Sequence, residues 1–346
     1  MTAQRFADVL TPRAEHIDQH GVERSTLTAM GAAGLLGLSG GQACGGGAVP
    51  AADVRQVTEI IAGASAATWF VGTQHNRPLA MVAATDNLQL RDRLLAPMCD
   101  GSLLSAIGIT HLRRRDRLVV RATRVQGGWL VDGDVAWVSS WGIADVVLLA
   151  AESTTGEVVF VVVPARDQPD VSAGPVMQLA AMQATATVSL HLVDLFVADQ
   201  DVAAVHDIGP LLETDRAHTA NVNPAVLGVL ATVVRHLGAV AERRGDRTAG
   251  ALAQQLAAER EALRDEAYAL IDDVPPGERI DDRLALRAAA LELTMRAATA
   301  LVVATGGSAM SLQAPAQRLL REAAFFLVQA QNAAVREATL RRLGHH

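Results

Sequence analysis

The basic run Arg113-Arg114-Arg115, the glycine-rich segment 38–50, the pair Asp215-Arg216 and the double glycine Gly306-Gly307 are stretches whose residue types can bind an anion or move a proton. The arginine run can hold a phosphate, those of CoA included, or be a solvated loop. The loop is the reading preferred here, and no aromatics are interleaved to stack on bases. A glycine-rich phosphate cradle follows a strand and precedes a Lys-Ser/Thr pair, and segment 38–50 has neither. With Pro50 suited to the first turn of the next helix, it reads as a connecting loop. Cys44 and Cys99 are too few for a disulfide framework and stand at no metal-ligand spacing, so both are expected to be reduced and structural, with no metal site. Asp215-Arg216 is in the first instance a solvated ion pair at a helix start, and Gly306-Gly307 a helix stop.

Composition narrows the possible partners. The formal charge of −7 repels polyanions on average, which argues against nucleic acid. Half of the residues are hydrophobic and 19% are charged, but the apolar content is spread through periodic segments. No stretch reaches the roughly 20 consecutive apolar residues of a membrane span. The first residues carry scattered charges and no apolar secretory core, so a cytoplasmic location without membrane association is expected.

The elements that must position these residues follow from periodicity. Apolar positions at helical spacing near 3–17, 23–34, 51–64 and 66–84 predict a helix cluster. Between 104 and 200, short runs rich in Val, Leu and Trp predict strands, and Asp132-Gly133 predicts a two-residue hairpin turn. Helical periodicity returns near 224–241, 248–272, 281–304 and 314–342, with starts at Asn223-Pro224 and Asp281-Asp282 and a stop at Gly306-Gly307. The expected architecture is α+β: an N-terminal helical domain over 1–103, an antiparallel β-barrel or sandwich over 104–205, and a C-terminal four-helix bundle over 206–346.

That order, with several local strings, resembles the acyl-CoA dehydrogenase superfamily, over nearly the whole chain. Met30 to Leu38 looks like the family's first glycine turn, and Leu104 to Thr110 like the strand that ends in its Thr-Glu-Pro signature, although His111 and Leu112 replace Glu and Pro. Gly128 to Ser140, followed by Ala144-Asp145, is the strongest match, to the segment that carries Trp-Ile-Thr/Ser-Asn. Ala181 to Thr185, Val193 to Val197, Thr305 to Ser308 and Arg318 to Glu322 resemble further family strings in the same order.

The resemblance implies an FAD-dependent oxidoreductase that desaturates an acyl thioester: a carboxylate takes the α-proton while the β-hydride passes to the flavin. It assigns Trp137 and Ser139 to the flavin ring, Thr110 to the isoalloxazine from the neighbouring strand end, and Gly306 and Gly307 to the nucleotide. The competing reading of Trp137 is a core tryptophan, and Trp141 is a further candidate for the same cavity. The family's Arg-x-x-Phe-Gly falls at Glu242 to Arg247 without its phenylalanine, and its Glu-Gly-Thr falls near Gln329 to Asn332, where no carboxylate stands. Some members place the base at the start of the bundle's first helix, immediately before an arginine, which makes Asp215 the candidate base and His218 its alternate. A monooxygenase of the same fold using reduced FMN, or a non-catalytic subunit beside an active homologue, fits the missing motifs. All three readings imply a homo-oligomer or hetero-oligomer, because long helices with two apolar faces need covering.

Overall fold

The computed structural model describes residues 2–44, 49–113 and 119–344. Arg114, Arg115 and residues 45–48 of the glycine-rich segment lie outside the described residues. The N-terminal helices are α1 (Ala3–Leu10), α2 (Ala14–His20), α3 (Arg24–Ala32), α4 (Ala51–Ala64), α5 (Ala66–Ala84) and α6 (Leu88–Asp100). Segment 3–17 is not one helix, because Pro12 falls in the 3-10 turn Thr11–Arg13 that separates α1 from α2. Helix α6 goes beyond the periodicity reading. Asn87 caps it by accepting from the Leu90 N–H, Gly101 closes it in the left-handed conformation, and Pro97 in its last turn disguises it.

The strands are β1 (Ser105–Gly108), β2 (Arg121–Val125), β3 (Gly128–Val138), β4 (Val146–Ser153), β5 (Glu157–Pro164), β6 (Val171–Ala173), β7 (Val188–Ala198) and β8 (Val202–Asp207). They form one eight-stranded sheet in the order β6-β7-β3-β2-β4-β5-β8, with β1 also on β4. Most pairings are antiparallel, while β1 and β2 run parallel to β4. Alternation explains the fully apolar strands. Val147, Leu149 and Ala151 of β4 point into the cluster inside the folded-over sheet, with Val159 and Val161 of β5 and Val131, Leu190 and Leu192 from β3 and β7. Leu148 and Ala150, with Val158, Phe160 and Val162, point the other way onto α5 and α6, so both faces are buried.

Asp132-Gly133 is not the hairpin turn. Strand β3 runs through it, the reversal from β2 falls at Gln126-Gly127, and the register with β7 slips between Val131 and Gly133. Gly133 takes φ +130° in that bulge with its missing side chain facing the Val119 carbonyl, so the glycine serves an irregularity inside a strand.

The C-terminal helices are α7 (Ile208–Ala220), α8 (Pro224–Arg244), α9 (Arg247–Asp273), α10 (Ile280–Thr305), α11 (Pro315–Phe326) and α12 (Ala333–Leu343). Asn223 caps α8 through the Ala225 N–H with Pro224 at its first position, and Gly306 closes α10. Segment 314–342 splits into α11 and α12 at a turn in which Ala330 has φ +49°. Stretches 208–244 and 280–310 are apolar enough over an 18-residue window to qualify as candidate membrane spans, but 61% and 50% of those windows is buried in the fold.

Helices α4 and α8 meet backbone to backbone. A Cβ at Gly228 would lie 2.1 Å from the Glu59 carbonyl oxygen, one at Gly63 would lie 2.8 Å from that of Gly228, and Thr232 Oγ1 donates to the Gly63 carbonyl at 2.8 Å. Beside this contact the buried Glu59 accepts from Arg260 (2.6 Å), Arg264 (2.8 Å) and the Tyr268 hydroxyl (2.7 Å), which fixes α4 on α9. Arg318 of α11 pairs with Glu322 and with Glu15 of α2, and Arg321 pairs with Asp18. Buried pairs of this kind specify the docking more than they stabilise it.

The expectation of two free cysteines is overturned, because Cys44 and Cys99 form a disulfide. They are 55 residues apart, and only the packing of the 3-10 segment Gly37–Cys44 on α6 brings them together. In the chain-entropy model, closing a loop of 55 residues contributes about 4 kcal/mol. Reducing the bond, or substituting Cys99→Ser, is therefore expected to lower the urea midpoint; an unchanged midpoint would mean that the thiols are not paired. Gly228→Ala is expected to cost at least about 2 kcal/mol by overpacking. Gly238→Ala on the same helix, whose Cβ would meet nothing closer than 4.0 Å, is expected to gain up to about 1 kcal/mol. Urea unfolding of the two variants distinguishes them, and equal effects would sink the close-contact account.

Candidate functional site

The end of β3 is built by a second irregularity. Between Val135 and Val138 the register with β7 slips again, and both of these valines face the sheet interior. Strict alternation would have sent Trp137 inward beside Val135. The slip turns it out instead, 40% exposed, and the core-tryptophan reading fails. Trp141 stays on the interior side, partly buried against the sheet's own cluster.

Ser139 is buried and sits on a row of hydroxyls, 2.8 Å from Thr187 Oγ1, which is 2.9 Å from Thr185 Oγ1. Thr185 donates to the Met182 carbonyl, so its proton is used; Thr187 then donates to Thr185, and Ser139 donates to Thr187. Ser139 is left able to accept a hydrogen bond and not to donate one. Thr110 opens the 3-10 turn Thr110–Arg113, which packs against β3, and its Oγ1 is buried with no partner. Ser140 Oγ and His111 Nδ1 are likewise buried and, among the described residues, unpartnered. An exposed aromatic ring next to buried hydroxyls that lack partners fits the ring end of a flavin. His111 fills the place of the family's glutamate, with one ring nitrogen on the Ala150 carbonyl at 2.9 Å and burial pushing its pKa down, so it is neutral.

Three residues after Thr110, Arg113 makes a bidentate fork with Asp215 of α7: Nε to Oδ2 at 2.8 Å and Nη2 to Oδ1 at 2.7 Å. Arg77 of α5 approaches the same carboxylate to 3.9 Å, outside hydrogen-bond range. Burial alone would raise the Asp215 pKa, but the Arg113 fork and the charges of Arg113, Arg77 and His218 outweigh it and hold the carboxyl below its ordinary range. Asp215 is thus in a charged junction between the β body and the bundle, not in a solvated pair with Arg216. His218 is exposed, with Nδ1 on the Thr214 carbonyl of its own helix at 2.9 Å.

The junction continues into the bundle. Arg287 of α10 donates through Nη1 to the Thr219 carbonyl at the end of α7 and through Nη2 to the Gln329 carbonyl (2.7 Å) in the turn between α11 and α12. Burial, with the nearby Arg113, pushes its guanidinium down to about 10, so it stays charged at neutral pH. In that turn Gln329 Oε1 accepts from Asn223 at 3.2 Å, and Asn332 donates to Thr219 Oγ1 at 2.8 Å. The turn that matches Glu-Gly-Thr therefore packs on the start of α8 through amides alone.

Gly306 and Gly307 lie at another end of the bundle. Arg244 caps the end of α10 by donating to the Ala304 (2.8 Å) and Thr305 (2.7 Å) carbonyls. The turn after Arg244 lines an open groove of 700 Å³. The structure thus joins the two motifs that resemble nucleotide-contacting strings, and separately joins Thr110, Asp215 and the 329–332 turn. Sequence reading missed Thr187, Arg77 and Arg287. Thr187 sits in an apolar strand entry, and each arginine is a lone charge in a helical pattern that looks like a solvated face.

The comparisons with known proteins bear on the fold. Residues 1–102 match the family model described as acyl-CoA dehydrogenase, N-terminal domain. Benzylmalonyl-CoA dehydrogenase of Aromatoleum aromaticum is 22% identical over 204 residues, an alignment that spans 57% of this chain and about half, 54%, of that relative. Butyryl-CoA dehydrogenase of Megasphaera elsdenii superposes with a TM-score of 0.80 at 16% identity, covering 99% of this chain and 96% of the other. An acyl-CoA dehydrogenase of Geobacillus kaustophilus gives 0.80 at 18% identity over 99% and 96%. The first domain is thus matched by the family's own model, and the chain shares the acyl-CoA dehydrogenase fold along nearly its whole length.

Proposed function

We propose that the protein binds FAD with the flavin ring against Trp137 and oxidises an acyl thioester. The observation that carries the reading is the end of β3: a strand irregularity turns an aromatic ring outward on the strand against which the Thr110–Arg113 turn packs, and the buried Thr110 hydroxyl has no partner among the described residues. FAD supplies the hydride acceptor when bound. Trp137 covers the ring and excludes water, Thr110 donates to it, and Ser139 accepts from it. The similar proteins named benzylmalonyl-CoA and butyryl-CoA dehydrogenase favour a CoA thioester as the substrate class.

Asp215 is the proton acceptor in this reading. A carboxylate offers about four lone-pair positions, and a bidentate arginine occupies two, so the clamped Asp215 keeps the capacity to receive a proton. The clamp also keeps it ionised to lower pH than a free aspartate. Exposed Val303, Met310 and Leu312 around Gly306-Gly307 are the apolar surface proposed to be covered by a second copy or a homologous subunit.

A second reading is favoured by the amide-only turn at 329–332 together with the Arg113 clamp: a flavoprotein of the same fold, a monooxygenase or a partner-dependent subunit, that removes no α-proton.

Flavin absorbance near 370 and 450 nm (roughly the positions of the oxidised bands) is the test. The purified protein is expected to take up FAD, Trp137→Ala to weaken uptake about tenfold, and an acyl thioester to bleach the bound flavin. Asp215→Asn is expected to slow bleaching by roughly 10² to 10⁴-fold. Because Arg113 depresses the Asp215 pKa, Arg113→Gln is expected to move the acid limb of the bleaching rate to higher pH. Flavin uptake without bleaching by an acyl thioester would transfer the assignment to the second reading, whereas bleaching unaffected by Asp215→Asn would move the base to another residue.

A further inference from the structure

The junction around Asp215 carries more positive charge than it can use. Arg287 spends Nη1 and Nη2 on the Thr219 and Gln329 carbonyls, and Arg113 spends Nε and Nη2 on Asp215. Arg77 makes no hydrogen bond among the described residues, and its side chain is 41% exposed, so its donors are accessible. Its surroundings do not favour an idle guanidinium: burial pushes its pKa down, and only the Asp215 charge opposes burial and the repulsion of Arg113. Among the described residues Arg113 and Arg77 both lie within 4 Å of Asp215, and Arg287 is close enough to feel the charge of each, so guanidinium groups outnumber the carboxylate.

Position says which anion belongs there. Arg77 reaches Asp215 from α5 at 3.9 Å, and with Asp215 as the proton acceptor of the thioester reading its free donors would lie beside the acyl chain. The planar fork of arginine matches a carboxylate bidentately, and charge-assisted bonds in a half-buried site discriminate strongly.

We propose that Arg77, assisted by Arg113, is a specificity-determining site for a carboxylate carried by the acyl group, so that the substrate is the thioester of a dicarboxylic acid. This rests on the thioester reading above. The CoA phosphates are a second source of the same chemistry, and they are common to all CoA esters.

The experiment is calorimetric titration of the FAD-loaded protein with succinyl-CoA, butyryl-CoA and free CoA, in the wild type, Arg77→Gln and Arg77→Lys. Succinyl-CoA is expected to bind roughly 10 to 100-fold more tightly than butyryl-CoA. Arg77→Gln is expected to abolish that preference while leaving butyryl-CoA within about twofold, and Arg77→Lys to keep part of it. Arg77 has no hydrogen bond to lose, so the variants are expected to fold, and unchanged butyryl-CoA binding verifies it. Equal binding of the two esters by the wild type, or a preference that survives Arg77→Gln, overturns the carboxylate site and leaves the thioester reading standing. A preference of Arg77 variants against free CoA as well as succinyl-CoA would assign Arg77 to the CoA phosphates and likewise overturn it. Failure of all CoA esters to bind removes the thioester reading and this site with it.

Discussion

Because no side chain fits between Gly63 of α4 and Gly228 of α8, the spacing of those two helices is set by backbone atoms and has little freedom to relax. Ser65, immediately after α4, ends that helix and caps α5 by accepting from the Thr68 N–H, so the course of α5 follows from the α4–α8 contact. Arg77 lies about three turns along α5. On the other side, α8 begins at Pro224, and its cap Asn223 holds Gln329. Arg77 and the 329–332 turn are therefore both referenced to one backbone contact. His75 adds a fixed point, accepting from the Ser105 N–H at 3.0 Å and donating to the Met98 carbonyl at 2.9 Å, while burial keeps the ring neutral.

The arginine junction is costly within such a rigid frame. Charge taken out of water is tolerated when it is paired, and Arg287 and Arg113 meet that condition by different means. Arg287 satisfies carbonyls at the end of α7 and in the 329–332 turn that have no helical partner. Arg113 crosses from the β body to the bundle and is neutralised by Asp215. Arg77 is the most exposed of the three and approaches Asp215 only to 3.9 Å, so no hydrogen bond among the described residues fixes its guanidinium.

Much of the fold was legible because it depends on local rules. The Asn223-Pro224 start and the Gly306 stop follow from capping, and the apolar runs at 146–153 and 157–164 follow from strands buried on both faces. What failed was decided by long-range geometry. Asp132-Gly133 has turn chemistry, yet its glycine is used inside a strand, where the neighbouring backbone at Val119 leaves no room for a side chain. Cys44 and Cys99 carry no spacing signal, and their pairing follows from how the 3-10 segment Gly37–Cys44 lies on α6. The partner of Asp215 was misread for the same reason. The arginine next to it in sequence is exposed, and the one that holds it comes from 102 residues away.

The departures from the family pattern are not evenly distributed. They fall where a base and a pyrophosphate would be contacted, at 329–332 and 242–247, and those segments have acquired structural work: the amides of the first knit α7, α8 and α12 together, and Arg244 of the second caps α10. At the ring end Thr110 Oγ1 and Ser140 Oγ are buried without partners among the described residues, and a buried hydroxyl left unpaired costs of order 1 to 3 kcal/mol. Trp137 likewise exposes a large aromatic surface. Under the proposed flavin reading these groups are the ones that would face the cofactor, whereas the two segments that depart from the family pattern are engaged in packing.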